Sequence, residues 1–531
     1  MNTRYYDAVI IGAGHNGLVC GAYLAKAGRK VCVLERRDII GGAAVSEEVW
    51  PGYRVSTASY TMALLQPRIM LDLDLARHGL SVIAPPPMVH LFGADKFLVL
   101  SDDESVARQL ARYSEQDAAA YPAYRAHMAR LGALVNGLLW EIPPDPADTS
   151  LSGRLALLRF VWRHRHLAKH FHDIYDVLTL SALDYLRRWF RSDEALCALG
   201  FYAGCGGATT ALSIPGSAYV LLRGYIRDHT TPAGPAGFVR GGMGSISEAI
   251  ARAGQEHGME IRTAAPVARV LVQNGRACGV ELAGGERIMA RTVISNAPAK
   301  VLFGKLVPEH AIDSDFRTRI ERIRDDSHAF KVHLGLSRLP RFRVFADHSG
   351  GSQGVDYPVQ ARLAPSVDAI EQAYDHAKYG CIAPRPALVV LTPSVVDTTV
   401  APPGRHLMTI FGQHAPYRLR GRQWDDAARE ELREAVLNTL ADHAPDIHDC
   451  IEHVQVLSPA DIADRFCLPG GHVHHGELSV DQIFFRRPVP GAADYATPIA
   501  GLYQCGASTH PGGGVTGVPG YNAAQRILRG A

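Results

Sequence analysis

The stretch YDAVIIGAGHNGLVCGAYLAKAGRKVCVLE, Tyr6 to Glu35, decides the fold. Tyr6 to Ile11 is a short apolar, β-branched run without polar alternation, the pattern of a strand buried on both faces of a parallel sheet. Gly12 permits a tight turn, Gly14 lets backbone approach a pyrophosphate, and Gly17 lets the next helix lie close to the strand. That helix is predicted to begin at Asn16 to Leu18, so its unpaired N–H groups and positive dipole end face the phosphates. Gly28 supplies its stop, Lys30 to Leu34 the second strand, and Glu35 a carboxylate placed to accept from ribose hydroxyls. The glycine pattern alone is weak, since it recurs at Gly512, Gly514 and Gly517, where the chain ends before an acid can follow. The order strand, turn, helix, strand, acid is what gives the first match its meaning.

The far end carries a matching segment, CGASTHPGGGVTGVPGYNAA, Cys505 to Ala524. It reads as a strip that passes a flavin ring and returns a helix to the same phosphates, with Thr516 and Gly517 at that helix's start. The Gly41-Gly42 doublet lets the chain pass close to a ligand where any Cβ would clash, which favours FAD over NAD.

With 531 residues, 47% of them hydrophobic, the chain should hold two or more domains. A net charge of +2 argues against a nucleic-acid partner. Nine scattered cysteines without a CxxC pair read as small core residues in a reducing compartment, not as a dithiol redox centre. The first strand begins almost at the initiator methionine and no run of about 18 apolar residues occurs, so a cytoplasmic protein without presequence or membrane-spanning helix is expected.

The expected fold class is α/β: a discontinuous FAD-binding Rossmann-type domain, glutathione reductase-like, with a mixed α+β substrate domain bearing a helical cap. Residues 1–75, 237–300 and 461–531 are assigned to the first, 76–236 and 301–460 to the second. The Asn274-Gly275 and Gly284-Gly285 dipeptides predict hairpin turns, and Thr292 to Ser295 a returning buried strand that delivers Asn296 to the ligand crevice.

Together GAGHNGLV, ERRDIIGGAAV, Pro51-Gly52-Tyr53, SVDQIFFRRPVPG (Ser479 to Gly491) and GLYQCGASTHPGGGV resemble the pyridine nucleotide-disulfide oxidoreductase domain-containing protein 2 family. That family is similar to the phytoene desaturases, retinol saturases and amine oxidases. The resemblance implies an FAD-dependent oxidoreductase, with FAD contacts at Gly12, Gly14, Gly17, Glu35, Gly41, Gly42, Val267, Gly506 and Gly517. It also associates animal members with mitochondria. The chain departs from the family's name in having one complete fingerprint and no vicinal cysteines. Ala13, Asn16, Arg36, Ala43, Ser59, Asn296 and Thr516 complete the expected cofactor site.

Hydride exchange with a flavin needs few catalytic side chains, because the cofactor supplies the electronics. His510, in the strip past the flavin, is the candidate acid–base group; as the residue before Pro511 it could equally bond turn backbone. Ser56, Thr57, Ser59 and Tyr60 could reach the isoalloxazine edge or satisfy local backbone. Arg240 could face an anionic substrate or the flavin, or simply solvent. The histidine-rich segment Arg159 to Asp176 is read as a partly buried amphipathic helix, not a metal site, with contact to an anionic bilayer as the lesser alternative. The leading expectation is an FAD-dependent oxidoreductase exchanging a hydride with a small-molecule organic substrate, hydrophobic or moderately polar, bound beneath the helical cap. A carotenoid or retinoid desaturase or saturase is the narrower alternative, and a flavin-bearing scaffold without turnover the alternative of another class.

Overall fold

The computed structural model describes residues 5–93, 95–227, 236–346 and 355–530. Its N-terminal unit is the one the opening stretch dictates. Strand β1 (Tyr5–Ile11) leads through Gly12 into helix α1 (His15–Lys26), and the chain returns as β2 (Val31–Leu34). Every residue of β2 is buried, as its unbroken apolar run requires. Helix α2 (Gly244–Glu256) and β3 (Glu260–Arg262) follow far along the chain, then β4 (Val267–Gln273), β5 (Arg276–Leu282) and β6 (Arg287–Ser295). Asn274 and Gly275 both take positive φ in the two-residue turn between β4 and β5, and Gly285 does so before β6.

These strands form a seven-stranded sheet in the order β4-β5-β6-β1-β2-β3, with the last strand, β7 (Leu502–Gln504), pairing with β6. Pairing is parallel from β6 through β1 and β2 to β3, and β7 runs parallel to the end of β6. The carboxyl ends of β1, β2, β6 and β7 therefore gather at Gly12, Glu35, Asn296 and Cys505, the edge at which open α/β sheets take ligands. Helix α3 (Val518–Arg529) closes the layer on α1, where Tyr23 and Tyr521 meet edge to face at 4.9 Å.

A second seven-stranded sheet collects Met88–Leu91, Phe97–Leu100, Ala329–Leu336, Gln360–Leu363, Ala387–Leu391, His406–Gln413 and Ile451–Leu457. Its pairings are antiparallel except that between Met88–Leu91 and Gln360–Leu363. Helices from Asp103 to Gly200, including the long Glu115–Leu139, pack beside it around Tyr124, Met128, Leu186 and Phe190. Both sheets recruit strands widely separated in sequence.

One segment departs from expectation. The amphipathic helix assigned to Arg159–Asp176 is broken: a helix ends at Arg163, a 3-10 turn runs Arg165–His170, and a new helix starts at Phe171. In Leu151–Arg163 only Gly153 is buried, so the apolar side does not pack on the substrate domain. Seven of the thirteen exposed large apolar residues among the described ones lie between Leu151 and Tyr175.

Candidate functional site

Between the sheets lies a cavity of about 900 Å³, at the upper end of the range for ligand clefts. One arm runs along the carboxyl ends of the first sheet, lined by Gly12, Gly14, Asn16, Glu35, Arg36, Gly42, Ala43, Ser59, Val267 and Asn296. Ten of the sixteen residues expected to hold a cofactor thus face one space. Ala13, Gly17, Gly41, Gly506, Thr516 and Gly517 are not among the residues lining this arm.

Their roles follow from close approach. A Cβ on Gly17 would collide with the Gly12 carbonyl oxygen, and one on Gly506 would come 2.5 Å from that of Asn296. Gly41, at φ +117°, donates to the Ala13 carbonyl at 2.8 Å, which draws the doublet against the opening turn. Gly517, at φ +76°, starts α3, while the Thr516 hydroxyl accepts from Val518 N–H at 3.2 Å.

The two signature segments touch. The His15 ring lies close enough to the Gly514 backbone to feel it electrostatically. A Cβ on Gly520 in α3 would strike the Asn16 carbonyl oxygen and lie 3.1 Å from Cys20 N. Two helix starts thus converge, and neither has a side-chain cap. The first-turn N–H groups of α1 are left for an external acceptor, which suits a diphosphate.

Several features fit FAD in this arm. A Cβ on Gly14 would lie 2.7 Å from Asn296 Nδ2, so the floor is stripped to backbone. Buried Asn16 Oδ1, His15 Nε2 and Ser59 Oγ have no hydrogen-bond partner, an arrangement that is costly unless a ligand supplies one. Glu35 is 6% exposed; its carboxylate accepts from Ala13 N–H at 2.9 Å and Arg37 N–H at 3.0 Å, and its remaining lone pairs suit ribose hydroxyls. Glu35→Ala removes a charged acceptor and strands two N–H groups, at about 1.5–3 kcal/mol per such bond. The expected result is roughly 10- to 100-fold weaker FAD binding, measured by flavin release during dialysis.

Arg36 lies on the rim, where its Nη2 donates to the Arg465 carbonyl at 2.5 Å. His510 is not among the residues lining the cavity. Its Nε2 pairs with the Leu138 carbonyl at 3.0 Å and its own carbonyl accepts from Tyr495 OH at 2.7 Å. Burial lowers its pKa to about 4, with the bond to Leu138 opposing. The imidazole holds the C-terminal strip against helix Glu115–Leu139, so the acid–base assignment gives way to the turn-backbone reading. Arg240 is exposed and likewise leaves the site.

Apart from Tyr60, the second arm was not visible in the sequence. Tyr60, Tyr202, Cys205, Arg223, Arg362 and Gln413 meet there, with Gln413 Nε2 2.8 Å from Cys205 Sγ. Beyond them Met88, Leu100, Tyr121, Tyr124, Leu199 and Leu221 make an apolar wall. His472, His474 and His475 line the junction of the arms. Burial holds His472 and His475 down to about 3, reinforced by the Arg487 guanidinium, so they offer neutral rings at ordinary pH. The run GGHVHHGE, Gly470 to Glu477, was the available signal, because three histidines clustered among glycines suit a buried polar wall.

A crevice at the carboxyl edge of a parallel sheet, joined to a second arm with an apolar wall, is the setting in which the class of the protein, a flavin-containing oxidoreductase, is read. The flavin containing amine oxidoreductase model matches residues 17–528, and the chain belongs to that family. It is 36% identical to the rat (Rattus norvegicus) pyridine nucleotide-disulfide oxidoreductase domain-containing protein 2, over 99% of this chain and 93% of that protein. The neurosporene-forming phytoene desaturase of Cereibacter sphaeroides is 26% identical over 97% of this chain and 92% of its own. A putrescine oxidase bound to putrescine superposes with a TM-score of 0.60 at 16% identity, covering 99% of this chain and 98% of its own, which shows the shared fold. Among the described residues no helix is long and apolar enough to cross a membrane.

Proposed function

We propose that the protein is an FAD-dependent oxidoreductase that exchanges a hydride between flavin N5 and a largely apolar organic substrate. The observation that carries this reading is the single cavity in which a dinucleotide arm opens into an arm walled by Met88, Leu100, Leu199 and Leu221. Bound FAD supplies a ring that takes up or returns two electrons with a hydride. The chain supplies position and dryness. The first turn of α1, braced by α3, would hold the diphosphate end, Glu35 would hold the ribose, and Ser59, His15 and the neutral histidines would offer polar groups to the ring. The apolar wall holds the substrate's C–H bond near the ring and excludes water. Anaerobic mixing of the holoprotein with fractionated metabolite extract tests it: bleaching of the flavin band by one fraction supports turnover. Failure of every fraction and of chemical reductant to bleach the band would favour a flavin-bearing scaffold.

We also propose that the cap rests on an anionic membrane surface. Leu151, Leu155, Leu158, Val161 and Trp162 are exposed on one short helix that also carries Arg154, Arg159 and Arg163, and Phe171 and Tyr175 extend the patch. Apolar anchors among basic residues fit the interface of an anionic bilayer. Leu158→Glu with Trp162→Glu is expected to lower co-sedimentation with phosphatidylglycerol vesicles at least tenfold and to leave bound flavin unchanged. Equal sedimentation of variant and parent would refute the contact. Nine cysteines, all free, support a reducing compartment such as the cytoplasm.

A further inference from the structure

The cavity's lining is electrically lopsided. Its cationic residues are Arg36, Arg37, Arg125, Arg223, Lys305 and Arg362, whereas Glu35, at the ribose end, is the one carboxylate among its described residues. Arg37 is answered by Glu47 and Arg125 by Asp103. Arg223 and Arg362, in the second arm, have no carboxylate partner among the described residues.

Both guanidinium-bearing residues line the same cavity. Both act electrostatically on the Tyr60 hydroxyl and the Cys205 thiol. Arg223 Nη2 donates to the Gly513 carbonyl at 3.0 Å, and Arg362 Nη1 to that of Ala198 at 3.0 Å. Arg362 Nε is buried without a partner, and the guanidinium lies 4.3 Å from the centroid of the Tyr202 ring. Lys331 Nζ sits 5.1 Å from the centroid of the Tyr60 ring, buried and unpartnered. Two guanidiniums and an unpartnered lysine near one tyrosine, with no carboxylate bonded to any of them among the described residues, are an expensive arrangement for a folded protein. Rings and carbonyls relieve part of that cost, and an anion between the guanidiniums would relieve the rest.

We propose that the second arm binds an amphipathic carboxylate, with its head between Arg223 and Arg362 and its apolar body along Met88, Leu100, Leu199 and Leu221. The assignment deepens the oxidoreductase reading and rests on it for the substrate's position beside the flavin. Two guanidiniums from separate elements can each give two N–H donors to a carboxylate, a geometry that an alcohol or amine cannot match. Neutral His472 and His474, close to Arg223, add polar surface without competing charge.

The test is calorimetric titration of the purified full-length protein with decanoate, decanol and decylamine, three probes that share a chain and differ in head group. Decanoate is expected to bind at least about tenfold more tightly than either of the others. Arg362→Met is expected to erase that preference, Arg362→Lys to restore part of it, and Arg223→Met to act as Arg362→Met does. Equal affinity for acid and alcohol, a preference for the amine, or an unchanged acid preference in both methionine variants would overturn the proposal. The head-group series on the parent protein needs no variant to fold. The yellow colour of the same preparation reports separately on the flavin: colourless protein that prefers decanoate would retain the anion site and reject the cofactor reading.

Discussion

Gly520→Val is expected to yield folded protein that carries little or no flavin. The substitution lies in α3, outside the cavity lining, yet a Cβ there would overlap the Asn16 carbonyl oxygen and approach Cys20 N. Both obstacles are backbone of α1, so no rotamer change relieves them; the two helices must separate. Separation moves the first turn of α1, whose free N–H groups are the proposed diphosphate site, and loosens the contact of His15 with Gly514. Overpacking of this kind costs about 1–3 kcal/mol in stability, while loss of several coordinated N–H donors weakens the cofactor by considerably more than tenfold. The ratio of flavin to protein absorbance after gel filtration reads the result, and circular dichroism confirms folding. Gln525→Val, on the same helix but away from this crossing, is the control expected to keep its flavin. Stoichiometric flavin in Gly520→Val would show that convergence of the two helix starts does not hold the cofactor.

The same convergence shows what the sequence could and could not reveal. Local geometry was legible: Gly12, Gly14 and Gly17 have their jobs within one turn, Glu35 follows at the end of β2, and Asn274-Gly275 selects its own turn. Asn296 was legible because a strand's carboxyl end is a place as well as a residue. Beyond Tyr60 the second arm was not, since its parts come from unrelated elements: Arg223 from a 3-10 turn, Arg362 from an interior strand of the second sheet, and His472 from a loop late in the chain. A lone arginine in a strand carries no mark of what will face it. His510 misled for the opposite reason. Its neighbours in sequence pass the cavity, but its ring points back to Leu138. The exposed cap helix misled because its pattern is amphipathic, and amphipathicity says that a face wants cover without saying what covers it.

Lys331 was invisible for a related reason, and it carries the second large prediction. It lies in strand Ala329–Leu336, AFKVHLGL, between Phe330 and Val332, and is 1% exposed with no partner for Nζ. Burial alone drives its pKa from 10.5 to about 7. Such a fall corresponds to roughly 4–5 kcal/mol of penalty on the buried ammonium. Lys331→Met keeps the length of the stem and deletes the charge, so it is expected to stabilise the protein by about 1–4 kcal/mol. The gain depends on pH in a fixed direction. Below the folded value the lysine is charged in both states, and the native state alone bears the full cost. As pH rises from about 7 toward the ordinary lysine value, the native state sheds its proton while the unfolded chain keeps one, and the parent protein regains stability. The variant's advantage should therefore be largest near about pH 6 and roughly halved near about pH 9, read as the difference in thermal midpoint between variant and parent at each pH. An advantage independent of pH, or a destabilised variant at low pH, would mean that the ammonium has an anionic partner in the folded protein.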